Sequence, residues 1–412
     1  MRTILSRTIK AFRQPAFLWL WIGSNFTFMS MMASGLTLGW LVLELTDSPF
    51  WVGAVSGARG IGQLVFSIFA GVLLDRYDKR RILLLAQTFN TILPFVLALL
   101  VFYEQIALWH LLAGSFVQGL VTSVRAPAFN TITYQLVGSQ GILNASAAMS
   151  LGFNIALVLG SSVTGVLVEE YGEAFGLLFS AAVGLIAVAT IYAVRGSFKT
   201  ESTAEPVLKS AAAGIKYVWA RRDFRKLLSL SLIIETFGFS YNVMLPVIAR
   251  DVLGLGAAGL GALSAARGIG AGVSNVWVAS LGDYERKSRL LVTAVSGAGI
   301  FMILFGLSPW YVLSLALIFI LGGMLTVYDV TMKSLILLLA EDEWRGRVQS
   351  IYTLTYSFVS IGGFLAGILA TAVSASFALA VSGSAILSFI GWNGRSFLHL
   401  SFANDTVTQP TD

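Results

Sequence analysis

A carboxylic acid set inside a long apolar run can hold a proton or a cation, because an ionised group there must face a water-filled cavity or a partner. Glu235 is such a residue, about two turns into the apolar run at 227–252. Glu235, Gly238 and Asn242 share one helical face by i, i+3, i+7 spacing. A carboxyl taken out of water resists ionisation, so it can exchange protons in the working pH range. Two meanings are open for Glu235: a proton or cation site, or a carboxylate satisfied by a neighbouring helix. Two more polar faces follow one spacing. Gln118, Thr122, Arg125 and Phe129 recur at i, i+4, i+7, i+11, and so do Gly322, Thr326, Asp329 and Lys333. Charges of opposite sign thus occupy equivalent positions. They suit a pair or gate between two halves. Alternatively, Asp329 pairs with Lys333 one turn away and Arg125 snorkels to the inner interface.

Arg59 and Arg267 sit in matching surroundings, each about two turns from the outer surface. They suit closure of the outer side or contact with an anionic substrate; the alternative is structural bonding to helix-end carbonyls. Asn25, Met29 and Met32 form a face of the first apolar run, and Tyr352 and Tyr356 another near the end of the chain. Such faces suit an adaptable cavity for an apolar or aromatic molecule, and they equally suit plain packing. Other chemistry is excluded. The chain has no cysteine and only two histidines, His110 and His399, so thiolate and histidine-rich metal sites are ruled out. No P-loop offers direct use of ATP, and no HExxH motif offers a zinc hydrolase. No cofactor is expected.

The elements that carry these residues follow from composition. Of 412 residues 56% are hydrophobic and 12% charged, against about 25% charged in soluble domains. The missing surface charge implies lipid as the solvent. A spanning helix needs about 20 apolar residues. Runs at 17–45, 51–74, 82–103, 107–135, 142–168 and 173–195 meet that need, as do runs at 227–252, 257–282, 289–307, 310–338, 348–372 and 375–394. The predicted fold is therefore an all-α membrane protein of twelve transmembrane helices. Six lie in 1–195 and six in 227–412, around a basic linker at 196–226. The first run is too long for a cleaved signal peptide and is expected to remain as a span.

Lys and Arg stay on the cytoplasmic side. With the N-terminus inside, the inner segments hold Arg2, Arg7, Lys10, Arg13, Arg76, Lys79, Arg80, Arg81, Arg286, Lys287 and Arg345, while the outer loops hold only Arg250. Trp51, Trp109 and Trp310 then begin spans at the outer interface. The net charge of +6 is thus a topology signal, and no nucleic-acid partner is expected.

The chain is internally duplicated. Residues 53–62 read GAVSGARGIG and residues 261–270 read GALSAARGIG, identical at eight of ten positions with an offset of 208. The same offset carries Asp75 onto Asp283, Lys79 onto Lys287, Arg81 onto Arg289 and Leu83 onto Leu291. The GxxGxG strings follow no strand, so they are close helix packing through small residues and not phosphate loops. Gly160, Gly165, Gly363 and Gly367 are expected to pack in the same way. Two equivalent six-helix bundles with a midplane site between them are a transporter architecture.

The loop after the second run reads Gly71-Val-Leu-Leu-Asp75-Arg76-Tyr-Asp-Lys79-Arg80-Arg81-Ile-Leu83. It resembles the signature loop of the major facilitator superfamily, with Asp78 where the family usually has Gly. A degraded copy surrounds Asp283. The run LVLELTDS ending at Ser48 resembles the branch of enterobactin exporters and drug exporters. The fourth-span antiporter arginine is replaced by Ser115, and the fifth-span Gly-Pro motif has Ser161 for Pro and Thr164 for Gly.

The resemblance implies that Asp75 holds the cytoplasmic side closed against the start of the eleventh span, where Gly346 and Arg347 lie. It also implies that the seventh span, with Glu235, lines the cavity. The expected function is secondary active transport by alternating access: proton-coupled export of a small amphipathic or siderophore-like molecule. Proton-coupled or facilitative uptake of a small nutrient is the alternative, and an intramembrane enzyme a remote one. The expected partners are a small-molecule substrate, protons and the bilayer. The chain is expected to be a monomer in a bacterial inner membrane, with both termini cytoplasmic.

Overall fold

The computed structural model describes residues 14–196, 198–199, 207–281, 286–341 and 343–398. Nine helices among them are long and apolar enough to cross a membrane: Pro15–Thr46, Lys79–Phe102, Asn144–Tyr171, Glu173–Ala193, Arg222–Val252, Lys287–Leu307, Tyr311–Leu339, Arg345–Ala372 and Ala375–Leu398. Three more helices stand where the second, fourth and eighth spans are expected. They are Pro49–Arg76, Ala257–Ser280 and the part of Leu108–Tyr171 before Gly138. No strand occurs among the described residues.

Local chemistry sets the helix ends. Pro15 and Pro49 begin their helices, where a missing N–H costs nothing. Asp47 takes a left-handed conformation at φ 49° and closes the first helix onto the Leu43 carbonyl. The long run Leu108–Tyr171 breaks into two helices at Gly138, whose φ of 67° suits glycine.

The chain forms two compact units. One comprises Met1–Thr203 with Val243–Ile269, the other Ala204–Asn242 with Gly270–Asp412. Inside the first unit, polar residues join helices that have no hydrophobic reason to prefer one another in lipid. Ser30 and Ser180 each donate to the other's carbonyl at 2.8 and 2.9 Å, and Thr27 donates to the Gln87 amide oxygen at 3.0 Å. Small residues allow backbones to meet. A Cβ on Gly62 would strike the Phe116 carbonyl, and one on Gly119 would strike the Arg59 carbonyl. The second unit repeats the device: a Cβ on Gly270, the repeat-mate of Gly62, would strike the Phe319 carbonyl. The packing expected of the duplicated glycine strings is therefore present in both copies.

The linker holds more structure than its polarity implies. Residues 207–220 form a helix, and the seventh span begins at Arg222. Within the second unit the linker helix packs on the start of the eleventh span. Tyr217 stacks on Trp344 at 4.5 Å, Arg221 pairs with Glu341, and a Cβ on Gly214 would meet Arg347.

Candidate functional site

In the second unit a polar cluster forms around the seventh, tenth and eleventh spans. The seventh span widens into a π turn at Ile234–Gly238. Such turns are rare inside helices and concentrate at functional sites. The turn meets the eleventh span where a Cβ on Gly362 would strike the Thr236 carbonyl. Ser231 bonds Thr355 at 2.7 Å on one side of the turn and Ser240 bonds Ser382 at 3.2 Å on the other. Glu235, inside this turn, is 2% exposed, and its Oε1 has no hydrogen-bond partner.

Beside it, Asp329 is saturated. Its Oδ2 accepts from Lys333 Nζ at 2.6 Å, and its Oδ1 accepts from Tyr352 at 3.1 Å and Tyr356 at 3.0 Å. Lys333 also lies over the Tyr356 ring at 5.7 Å. The local pairing of Asp329 with Lys333 is the one observed. Asp329 and Lys333 are the charged groups that act on Glu235, and the buried Tyr328 is a further electrostatic neighbour. With both carboxyls ionised the trio carries one excess negative charge; with a proton on Glu235 it is neutral. Asn242 lies one face-repeat onward, and its amide donates to the Phe239 carbonyl at 3.2 Å.

In the first unit two arginines converge. Arg125 is 6% exposed and donates to the Met31 sulfur at 3.2 Å; Arg59 reaches the same sulfur at 3.7 Å. Arg125 also stands over the Phe28 ring at 5.5 Å, and Phe28 meets Phe153 edge-on at 4.9 Å. Among the described residues no acidic side chain pairs with either arginine. The close approach of Gly62 and Gly119 brings their two helices together. Gln118 is buried nearby on the fourth span, and Asn25 bonds the Trp21 carbonyl at 2.7 Å. Arg267 is half-buried in the same unit.

The basic loop after the second span has its own anchor. Asp78 caps the third span by accepting from the backbone of Arg80 at 2.9 Å and Arg81 at 3.3 Å. Its other oxygen accepts from Phe198 N–H at 2.8 Å, and Arg80 donates to the Tyr192 carbonyl at 2.6 Å. The loop is thereby tied to the end of the sixth span. Gly71 is half-buried, Arg76 and Arg81 are exposed, and Arg347 covers the Trp344 ring at 4.8 Å. Asp283 and the side chain of Asp75 lie outside the described residues.

Residues 6–401 match the family model described as transmembrane secretion effector. The chain belongs to that family, a branch of the major facilitator superfamily. Among relatives, the enterobactin exporter EntS of Escherichia coli O1:K1 is 23% identical over 349 residues, covering 82% of this chain and 81% of the exporter. The exporter of the same name from strain 536 of E. coli O6:K15:H31 is equally similar. Among solved structures, the nucleoside transporter NupG superposes with a TM-score of 0.75 at 14% identity, covering 94% of this chain and all of NupG. An auto-inhibited POT family peptide transporter superposes with a TM-score of 0.70 at 13% identity, covering 97% and 99%. At such identities these structures establish the fold alone.

This major facilitator protein is accordingly an integral, multi-pass membrane transporter of small molecules, and its relatives are transporters, not enzymes. Of the residues singled out in its sequence, the structure brings Glu235, Asp329 and Tyr356 into one cluster and Arg59 and Arg125 into another. Two further members escape the sequence. Tyr328 joins the first cluster, which also takes in Tyr352, whose i, i+4 face with Tyr356 is legible from spacing. Met31 joins the arginines, although the face noted from spacing was Asn25, Met29 and Met32.

Proposed function

We propose that this transporter is a proton-driven exporter that moves a small amphipathic molecule across a bacterial inner membrane by alternating access. In this reading it works as a monomer built from equivalent halves at 1–195 and 227–412, with both termini and the 196–226 linker cytoplasmic. Export is supported by the family description and by the relatives named as enterobactin exporters. The observation that carries the coupling is Glu235, a buried carboxyl with an unpartnered oxygen next to an aspartate already committed to Lys333 and two tyrosines. An unpaired buried charge is expensive, and a proton removes that cost. Loss of the proton restores one negative charge to the cluster and so favours contact with water. Asn242 lies along the same face to help hold substrate. Asp75, Arg76 and Arg81 belong to the gating loop in this reading, so Asp75→Asn lowers turnover while expression is intact.

The test uses inverted vesicles with an acid interior and enterobactin as the first probe, followed by amphipathic cations such as ethidium. Uphill accumulation in inverted vesicles is expected, and Glu235→Gln abolishes it while downhill exchange continues. Accumulation only in right-side-out vesicles would make the protein an importer. Uphill transport by Glu235→Gln would remove Glu235 from coupling and make Asp329 the next candidate.

A further inference from the structure

We infer that Arg125 and Arg59 form a binding site for the anionic group of an amphipathic, aromatic substrate. A guanidinium carries five N–H donors and no acceptor, and a thioether is a weak acceptor. Yet the Met31 sulfur is where both arginines point, at 3.2 Å from Arg125 and 3.7 Å from Arg59, and Arg125 Nε has no partner at all. Two like charges that also repel each other are thus held together with their donors largely unused. Arg125 is buried and Arg59 half-buried; burying the Arg125 charge without a counter-ion costs several kcal/mol, with no stabilising return from the protein itself. An oxyanion would settle both deficits, since a guanidinium fork binds carboxylate, sulfonate or phosphate oxygens in pairs. A neutral acceptor would leave both charges uncompensated.

The surroundings specify the rest of the molecule. Phe28 presents its ring to Arg125 and its edge-on partner Phe153 extends the aromatic wall. One turn beyond Met31, on the same face of the first span, Gly35 is exposed and a Cβ there would meet nothing within 4 Å. Open space therefore lies one turn along the helix Pro15–Thr46 from the sulfur that both arginines reach. Rigid packing holds the two cations in place, because the helices that carry them interlock at Gly62 and Gly119. This site names a substrate class for the transporter and rests on the reading that this space lies on the transport path.

The experiment measures binding to purified protein in lipid nanodiscs without a proton gradient, so it does not depend on coupling. The probes are naphthoate and phenylbutyrate, each against its neutral amide. The anions are expected to bind and the amides to bind at least about tenfold more weakly, the share of a charge-assisted hydrogen bond. Arg125→Gln and Arg59→Gln are each expected to weaken the anions by about tenfold to a hundredfold and to weaken the amides markedly less, because only the anions lose a charge-assisted bond. Arg125→Lys, which keeps the charge and loses the fork, falls between wild type and Arg125→Gln; it carries the test if the glutamine variant does not fold. Equal binding of acids and amides, no binding of either, or anion binding that survives every arginine variant overturns the assignment. Anion binding without proton-driven transport leaves this site standing and removes the coupling role of Glu235.

Discussion

Lys333 decides which of two carboxyls is compensated, and a double-mutant cycle with Asp329 measures that choice. Lys333 Nζ lies 2.6 Å from Asp329 Oδ2, with the two side chains 41% and 30% exposed. Removing one partner of a fully buried pair costs about 3–5 kcal/mol, whereas an exposed i, i+4 pair contributes about 0.3–0.5 kcal/mol. The intermediate exposure places the coupling at about 1–2 kcal/mol. Lys333→Met is expected to be the more damaging single change, because it leaves Asp329 and Glu235 facing each other with no cation. Asp329→Asn keeps acceptors for Tyr352 and Tyr356 and is milder. The double variant should recover most of the loss. The assay is unfolding of the purified protein in micelles by denaturing detergent, followed by circular dichroism. Additivity within about 0.3 kcal/mol would refute the commitment of Lys333 to Asp329. Coupling of Lys333→Met to Glu235→Gln instead would refute the view of Glu235 as the uncompensated carboxyl.

Asp78→Ala should remove a helix cap and the bond to Phe198, together about 2–3 kcal/mol; amide exchange at Phe198 should then accelerate at least about tenfold, and unchanged exchange would contradict the clamp. Asp78→Asn, which keeps an acceptor for the cap, should lose less. Gly119→Val drives a side chain into the Arg59 carbonyl and should cut the yield of folded protein, while Gly391→Ala, with open space around it, should express normally; equal yields would show that the helices do not interlock there. Ser202→Cys, made in a chain with no native cysteine, should react with a membrane-impermeant maleimide only from the cytoplasmic side, and labelling from outside would reverse the orientation.

Much was legible in advance because it depends on composition and on periods along one chain segment. Apolar run length places helices where lipid demands them, and the helix positions follow the runs closely. The offset of 208 exposed the duplication, and the packing of Gly62 and Gly270 is its physical content: a backbone approach tolerates only hydrogen at that position, so the residue type records the contact. Asp329 and Lys333 were readable as a pair because four residues is one helical turn.

The sites themselves depend on residues far apart in the chain. No local pattern announces a π turn at Glu235; it accompanies a contact with Gly362, over a hundred positions away, where the approach of another backbone determines which hydrogen bonds the helix can keep. Asp78 reads as a departure from a motif until Phe198 is beside it, when it becomes a cap and a clamp. The linker reads as polar, but its aromatic and basic residues find Trp344 and Glu341. Sequence distance along each span assigns Arg59 to the outer half of the membrane and Arg125 to the inner half. Guanidinium side chains are long, and helix packing aims them. Their convergence on Met31 depends on how three helices, Pro15–Thr46, Pro49–Arg76 and the first part of Leu108–Tyr171, pack together, a property of none of them alone.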